Sequence, residues 1–313
     1  YEDIAANSDN GERYDGKDVS PIHRVASEPV STFGVDVDTG SYTNVRRMLM
    51  GGQPVPAAAV RTEEMINYFR YDYPVPTDRS TPFSVTTDLS TTPWNPQTRL
   101  LRIGLRGYDV ARSERPAANL VFMVDVSGSM DAPDKLPLVK QALSILADGL
   151  RADDSISIIT YSGSVQTLIE GSHDPAAIKA ALSGLEADGG TAGGPALSMA
   201  YDLARAHRIT GGINRIVMAT DGDFNLGLSD QKGLEDMVRQ NREDGITLTT
   251  LGFGQGNYND AMMEAVADLG NGNHAYIDSA MEARKVLEDE LSSTLFTIAK
   301  DVNCLLYTSP SPR

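Results

Sequence analysis

From Leu120 onward the chain repeats one unit, a short and nearly uninterrupted apolar strand followed by a helix with an apolar stripe. LVFMV (Leu120–Val124), RIVMA (Arg215–Ala219) and TLTTLGF (Thr247–Phe253) lack the alternation of a half-exposed strand, so both faces should be covered. After the first strand, Val139, Ala142, Leu143, Leu146 and Leu150 fall at the spacing of an amphipathic helix. Ser155–Tyr161 and Val165–Ile169 flank Ser-Gly-Ser as a hairpin. Helices are expected at Pro175–Leu185, Pro195–Ala206, Leu234–Arg242, Asp260–Leu269 and from Met281 to Lys300, with a short strand at His274–Ile277. Repeats of this kind build an α/β fold, a doubly wound and mostly parallel sheet with helices on both faces. Ligands of such sheets sit beyond the carboxyl ends of the strands, where the winding reverses.

The region before this repeat reads differently. Residues 1–30 are polar and aperiodic and are expected to form a linker. Residues 31–118 form a small α+β module: a strand in STFGVDVDT, helices in SYTNVRRMLMGG and VRTEEMINYFRYDY, and strands in FSVTTDLSTTPW and TRLLRIGLRGYDV. A module of that size is marginal alone and is expected to pack on its neighbour. The apolar repeat then occupies 119–303.

Three features stand at strand ends of the repeat. DVSGSM places Asp125, Ser127 and Ser129 directly after the first strand. DGGTAGGPAL carries Thr191 in a glycine-rich loop before a helix, and TDGD places Asp221 after the strand Arg215–Ala219. Each has an ordinary explanation alone, as a helix cap, a helix start or a turn. Their joint occurrence, each on the same rim of one sheet, is poorly explained by chance. The set is two carboxylates and three hydroxyls, hard oxygen donors suited to Mg²⁺ or Mn²⁺ rather than Zn²⁺. None of His23, His173, His207 and His274 has ligand spacing to another. Gly128, Gly189, Gly190, Gly193 and Gly194 would let backbone approach the ion.

These three motifs together resemble the metal-ion-dependent adhesion site of von Willebrand factor type A domains. The resemblance covers 119–303 and implies the doubly wound fold, with Asp125, Ser127, Ser129, Thr191 and Asp221 as the metal set. PVSTFGVDVDTGSYTNVRRML and VRTEEMINYFRYDYP resemble the N-terminal region of the bacterial YfbK-like family. That likeness implies a bacterial protein of the cell envelope, extracytoplasmic and periplasmic or held by a lipid anchor upstream of residue 1, and a further C-terminal domain. In the family the ion keeps residual positive charge and an open position, which an Asp or Glu of a protein partner fills. The implied function is a metal-dependent binding module for adhesion or scaffolding, and not an enzyme.

The alternative is a metal-dependent hydrolase or phosphatase using Asp125 as nucleophile. Metal catalysis needs a base beside the nucleophile, and the rim loops offer no His or Lys placed for it; Asp223 has no visible partner. A formal net charge of −16 argues against nucleic acid, whose phosphates demand clustered Lys and Arg. No apolar run is long enough to span a membrane.

Three weaker features complete the reading. DVDTGS (Asp36–Ser41) begins like a calcium loop but lacks its glycine and distant glutamate, so a strand end and helix cap are expected. GFGQGNYND (Gly252–Asp260) lacks the Lys-Ser/Thr of a phosphate loop and reads as a turn; the resemblance to similar domains, where this loop sits on the metal rim, implies that Asn257 and Tyr258 touch the ligand. CLLYTSPSPR (residues 304–313) is what TGT CTC TTA TAC ACA TCT and the following bases of a sequencing adapter encode. It is expected to be an artefact tail, with the native chain cut near Asn303 and Cys304, the only cysteine, carrying no chemistry.

Overall fold

The computed structural model describes residues 11–14, 16, 21–35, 37–77, 80–108, 110, 114–191, 193–222, 231–290, 298–299 and 302–307, with no side-chain detail at 231–234 and 288–290. The chain divides into two compact units. One combines residues 1–19, 37–68 and 116–295; the other combines 20–36, 69–115 and 296–313.

The second unit consists of two antiparallel ribbons. In one, β1 (Val30–Gly34) pairs with residues Asn303–Tyr307 at the far end of the chain. In the other, β2 (Phe83–Thr92) pairs with β3 (Asn95–Gly107), the strands expected there. Cys304 to Tyr307, read above as adapter-derived, thus form a strand. Leu305, Leu306 and Tyr307 are a β-prone run, and such a run satisfies the open edge of β1 whatever its source. Cys304 is a free thiol opposite Phe33.

The first unit is built on six strands. β4 (Ala118–Asp125), β5 (Ser155–Tyr161), β6 (Val165–Ser172), β7 (Ile213–Thr220), β8 (Ile246–Phe253) and β9 (His274–Ile277) lie in the order β6-β5-β4-β7-β8-β9. All pairings are parallel except that of the edge strand β6 with β5. Alternate residues of β4 enter two separate cores. Leu120, Phe122 and Val124 pack under α3 (Leu136–Asp148), α4 (Pro175–Ser183) and α8 (Ala280–Arg284). Val121 and Met123 face α5 (Gly193–Ala206), α6 (Gln231–Glu243) and α7 (Asp260–Leu269). Apolar runs without polar alternation are what such a two-sided burial requires. The helix expected to run from Met281 is α8 followed by a π-helical turn, Lys285–Glu290; its remainder lies outside the described residues. No helix among the described residues is long and apolar enough to cross a membrane.

The compact unit does not divide at residue 118. α1 (Gly40–Met50) lies along β9, where the Thr43 hydroxyl donates to the Tyr276 carbonyl (2.8 Å), so the free edge of the sheet is covered. Arg46 holds Asp278 and Glu282 (2.6 and 2.9 Å). α2 (Thr62–Asn67) is shorter than its apolar spacing suggested. Part of the expected linker is also fixed. Arg13 makes a parallel bridge with Asn259, and Glu12 pairs with Arg47 (3.0 Å) and accepts from the Gly256 amide (3.0 Å). Two residues, one docked through its backbone and one through its carboxylate, leave little periodic trace in a sequence.

The junction of α1, α2, α7 and β9 holds a buried charge network. Arg61 binds Glu64 and Asp260, and Glu64 accepts from the Ser41 amide (2.7 Å). The expected cap at Asp36–Ser41 is replaced by a docking contact: Thr39 makes no side-chain cap bond, and the Asp38 carboxylate accepts from the His274 amide (3.0 Å). Around His274 the hydrogen-bond partners favour the charged ring. Thr250 Oγ1 donates to the Met263 carbonyl (3.0 Å), so it accepts from His274 Nδ1 (2.9 Å). The Tyr258 hydroxyl lies 3.3 Å from Asp260, to which it can donate, and 2.8 Å from Nε2. Both ring nitrogens thus face oxygens able to accept from them, an arrangement suited to an imidazolium. Burial opposes that charge, but Asp260 at 3.4 Å outweighs it and raises the His274 pKa above the usual range. Such a group stabilises the fold fully below about pH 6.5 and loses that contribution as pH rises, by at most about 1.4 kcal/mol per unit. Urea unfolding between pH 6 and 9 should therefore show a falling midpoint that the His274→Gln variant does not share; an equal slope in both proteins contradicts the assignment.

Candidate metal centre

Asp125 is the last residue of β4, next to the seam where β4 pairs with β7. Val124 stands opposite Ala219, so Thr220 arrives beside Asp125 and its hydroxyl donates to Asp125 Oδ2 (2.9 Å). Asp125 Oδ1 accepts from the Ser127 amide (2.9 Å). The chain then winds through a 3₁₀ turn, Gly128–Asp131, which brings the Ser127 and Ser129 hydroxyls to 3.1 Å of each other. Asp221 follows β7 directly, fully buried, with the Ser129 hydroxyl near enough to help stabilise its charge.

The loop between α4 and α5 is docked on this turn through backbone. The Gly128 amide donates to the Gly189 carbonyl (3.0 Å), and the Asp188 amide to the Val126 carbonyl (2.8 Å). Thr191 lies two residues beyond Gly189 and is half-buried. Among the described residues no hydrogen bond links Thr191 to the other four. The structure thus joins Asp125, Ser127, Ser129 and Asp221 by contact and brings the loop of Thr191, though not its hydroxyl, onto the cluster.

Lys135, which sequence reasoning passed over, and Asn257, which it placed near the ligand, complete the site. Lys135, buried just before α3, places its ammonium 2.9 Å from Asp221 Oδ2 and 3.0 Å from Asn257 Oδ1. Asn257 Nδ2 donates to the same Asp221 oxygen (3.1 Å). No Lys placed as a base was expected at the rim, and Lys135 is engaged as an ion-pair partner instead; that partner lies 86 residues away in sequence, beyond any local pattern. The placement of Tyr258 is corrected. It was expected to face a ligand, but it is fully buried and its hydroxyl belongs to the His274 network. Asp223 lies outside the described residues.

The electrostatics of the two aspartates diverge. Burial pushes the Asp125 pKa up to about 6, and the nearby Asp221 charge adds to it, against the hydrogen bonds from Ser127 and Thr220. Burial acts on Asp221 too, but the Lys135 ammonium with Ser129 and Asn257 holds it below the usual carboxylate range. Of the two buried carboxylates only Asp221 is paired with a fixed cation, which leaves room for more positive charge beside Asp125. Among the described residues no three His, Cys, Asp or Glu side chains converge, so the softer ligand sets of zinc are not offered. The donors fit a hard cation held by hydroxyls and water, with the carboxylates engaged behind them.

Behind Asp221 the chain turns at Gly222, whose φ is +87° and whose added Cβ would stand 2.4 Å from the Asn259 nitrogen. Gly222→Ala should lower stability by about 2 kcal/mol or more, because both the backbone strain and the backbone clash must be relieved. An unchanged urea midpoint would show that this turn is not held as described.

The sequence model of the von Willebrand factor type A domain matches residues 119–290, and a second one described as von Willebrand factor matches residues 8–102. YfbK of Escherichia coli is 46% identical over 308 residues, covering 96% of this chain and 53% of that protein. The human inter-alpha-trypsin inhibitor heavy chain H3 is 31% identical over 193 residues, covering 57% of this chain and 21% of that protein. The chain therefore spans about half the length of its Escherichia coli relative, and less of the human one. Among solved structures, an aerotolerance-related membrane protein of Bacteroides fragilis aligns with TM-score 0.49 at 23% identity, over 56% of this chain and 98% of that one. With its motifs on the rim of a doubly wound sheet and the domain match spanning that sheet, the chain belongs to the von Willebrand factor type A domain family.

Proposed function

We propose that this chain is a metal-dependent protein-binding module of the bacterial cell envelope. The observation that carries the reading is the cluster itself: Asp125, Ser127, Ser129 and Asp221 meet at the carboxyl ends of β4 and β7, the switch point of the sheet. Ser127 and Ser129, with Thr191 from the adjoining loop, would hold Mg²⁺ or Mn²⁺, and the two aspartates would act from behind. Both Asp125 oxygens already accept hydrogen bonds, which suits a carboxylate acting through water. The ion, when bound, supplies a Lewis-acidic position for a carboxylate oxygen.

An Asp or Glu of a protein partner is the ligand this chemistry favours. A carboxylate reaching the ion gains a charge-assisted bond despite the acidity of the chain as a whole. Beside the site, Val126, Ser162, Ser164, Gln166, Leu168 and Gly189 line a groove of mixed polar and apolar character that can take the flanking residues of such a partner. Among solved relatives of low identity, a mussel byssus protein is described with zinc in this type of site and a Plasmodium vivax protein as manganese-loaded. An envelope location, with a lipid anchor as tether, rests on the likeness to the YfbK-like family.

Enzymatic use of the same site is disfavoured by the contacts of its charged groups. Lys135 is committed to two acceptors and is buried, so it is no free base. Asp125 is fully buried and each of its oxygens already accepts a hydrogen bond, so it is poorly placed to attack a substrate.

Calorimetric titration of Mg²⁺ and Mn²⁺ should show one site in the intact chain. Asp125→Ala and the paired Ser127→Ala/Ser129→Ala variant should each lose at least about tenfold in affinity while keeping their circular dichroism. Undiminished affinity in folded variants sinks the reading. Addition of EDTA should release an acidic partner captured on the protein, and retention of that partner without metal contradicts the proposed role of the ion.

A further inference from the structure

Lys135 is the cation of the cluster, outside the metal set, and its position is specifically built. Its stem runs past Gly254, where an added Cβ would stand 2.3 Å from Lys135 Cγ and 2.5 Å from Cε, and where φ is +71°. Only glycine leaves that passage open. At its end the ammonium meets Asp221 at 2.9 Å and Asn257 at 3.0 Å, with the side chain 8% exposed. Asn257 is tied in turn to the same carboxylate oxygen (3.1 Å), so the three groups form a closed triangle. The ammonium is also on the wrong side of its own helix: it comes from the residue preceding α3, where the macrodipole disfavours a cation. The ion pair with Asp221 offsets that cost.

Resting on the metal-binding reading above, we propose that Lys135 is a built-in counter-cation that trades metal affinity for affinity toward the carboxylate ligand. The charge count makes the direction definite. With Asp125 and Asp221 ionised, a divalent ion alone would neutralise the site and offer an incoming carboxylate little attraction. Lys135 cancels one aspartate, so the loaded site keeps one net positive charge, which a monoanionic Asp or Glu side chain complements. The same ammonium repels the ion, so the metal is held less tightly than two free carboxylates would hold it. Lys135 touches neither ion nor ligand in this scheme; it acts through Asp221 as a positioning residue.

The test compares the intact chain with Lys135→Met and Lys135→Gln, the second keeping a donor for Asp221 without the charge. Mn²⁺ affinity is measured by calorimetry. Acetate, as the simplest carboxylate probe, is then titrated into the Mn²⁺-saturated proteins while water-proton relaxation is followed. Removing one unit charge at this range should raise Mn²⁺ affinity and weaken acetate binding, each on the order of tenfold. Opposite movements of the two affinities are the signature, since a merely structural brace would lower both together. Unchanged affinities, or a joint fall in the variant whose circular dichroism and urea midpoint are native, overturn the inference and leave the metal site standing. Absence of Mn²⁺ binding in all three proteins overturns the metal reading and this inference with it. Binding that emerges only in the variants supports the counter-cation role in its strongest form.

Discussion

The bond from the Thr220 hydroxyl to Asp125 spans the seam between β4 and β7, and the rim is organised around it. The two strands lie side by side in parallel because apolar residues on both faces of each enter the two helix-covered cores. In parallel, their carboxyl ends finish at one level, and two loops that each begin with an aspartate leave the sheet together. One residue of slip would turn Asp125 away and put a core side chain in its place. The third loop then needs only backbone bonds, Gly128 to Gly189 and Asp188 to Val126, to be carried onto the same spot.

The candidate site and the buried network under α7 are linked through residues 257–260. Asn257 reaches Asp221 and Lys135, Tyr258 and Asp260 reach His274, and Asn259 caps α7 while crowding Gly222. Four consecutive residues thus alternate between the rim and the interior. Glu12 and Arg13 grip the same loop from outside through Gly256, Tyr258 and Asn259. Buried ion pairs such as Arg61–Asp260 do not by themselves imply high stability, since desolvation offsets much of their attraction. Their geometric effect is to fix the loop that orients Asn257.

What was legible in the sequence follows from the range of each signal. Buried parallel strands such as Leu120–Val124 and Arg215–Ala219 announce themselves because two-sided burial demands consecutive apolar residues. The residues of the cluster were legible because each sits directly after such a strand or before a helix. Lys135 was not, because its role depends on Asp221 and Gly254, both distant in sequence. Glu12–Tyr14 read as linker because a bridge of one residue has no period to detect. Tyr258 misled because a tyrosine in a glycine-rich loop looks exposed, whereas Gly252 makes room for its ring. The division at residue 118 reflects a change in pattern, and α1 crosses it because β9 has an edge to cover.

The most direct measurement is the anomalous difference density of crystals of this chain equilibrated with Mn²⁺. The account predicts one dominant peak within coordination distance of the Ser127 and Ser129 hydroxyls, about 2.2 Å from each, with Lys135 still on Asp221. A peak elsewhere on the molecule, or none at the seam between β4 and β7 at saturating Mn²⁺, would contradict it.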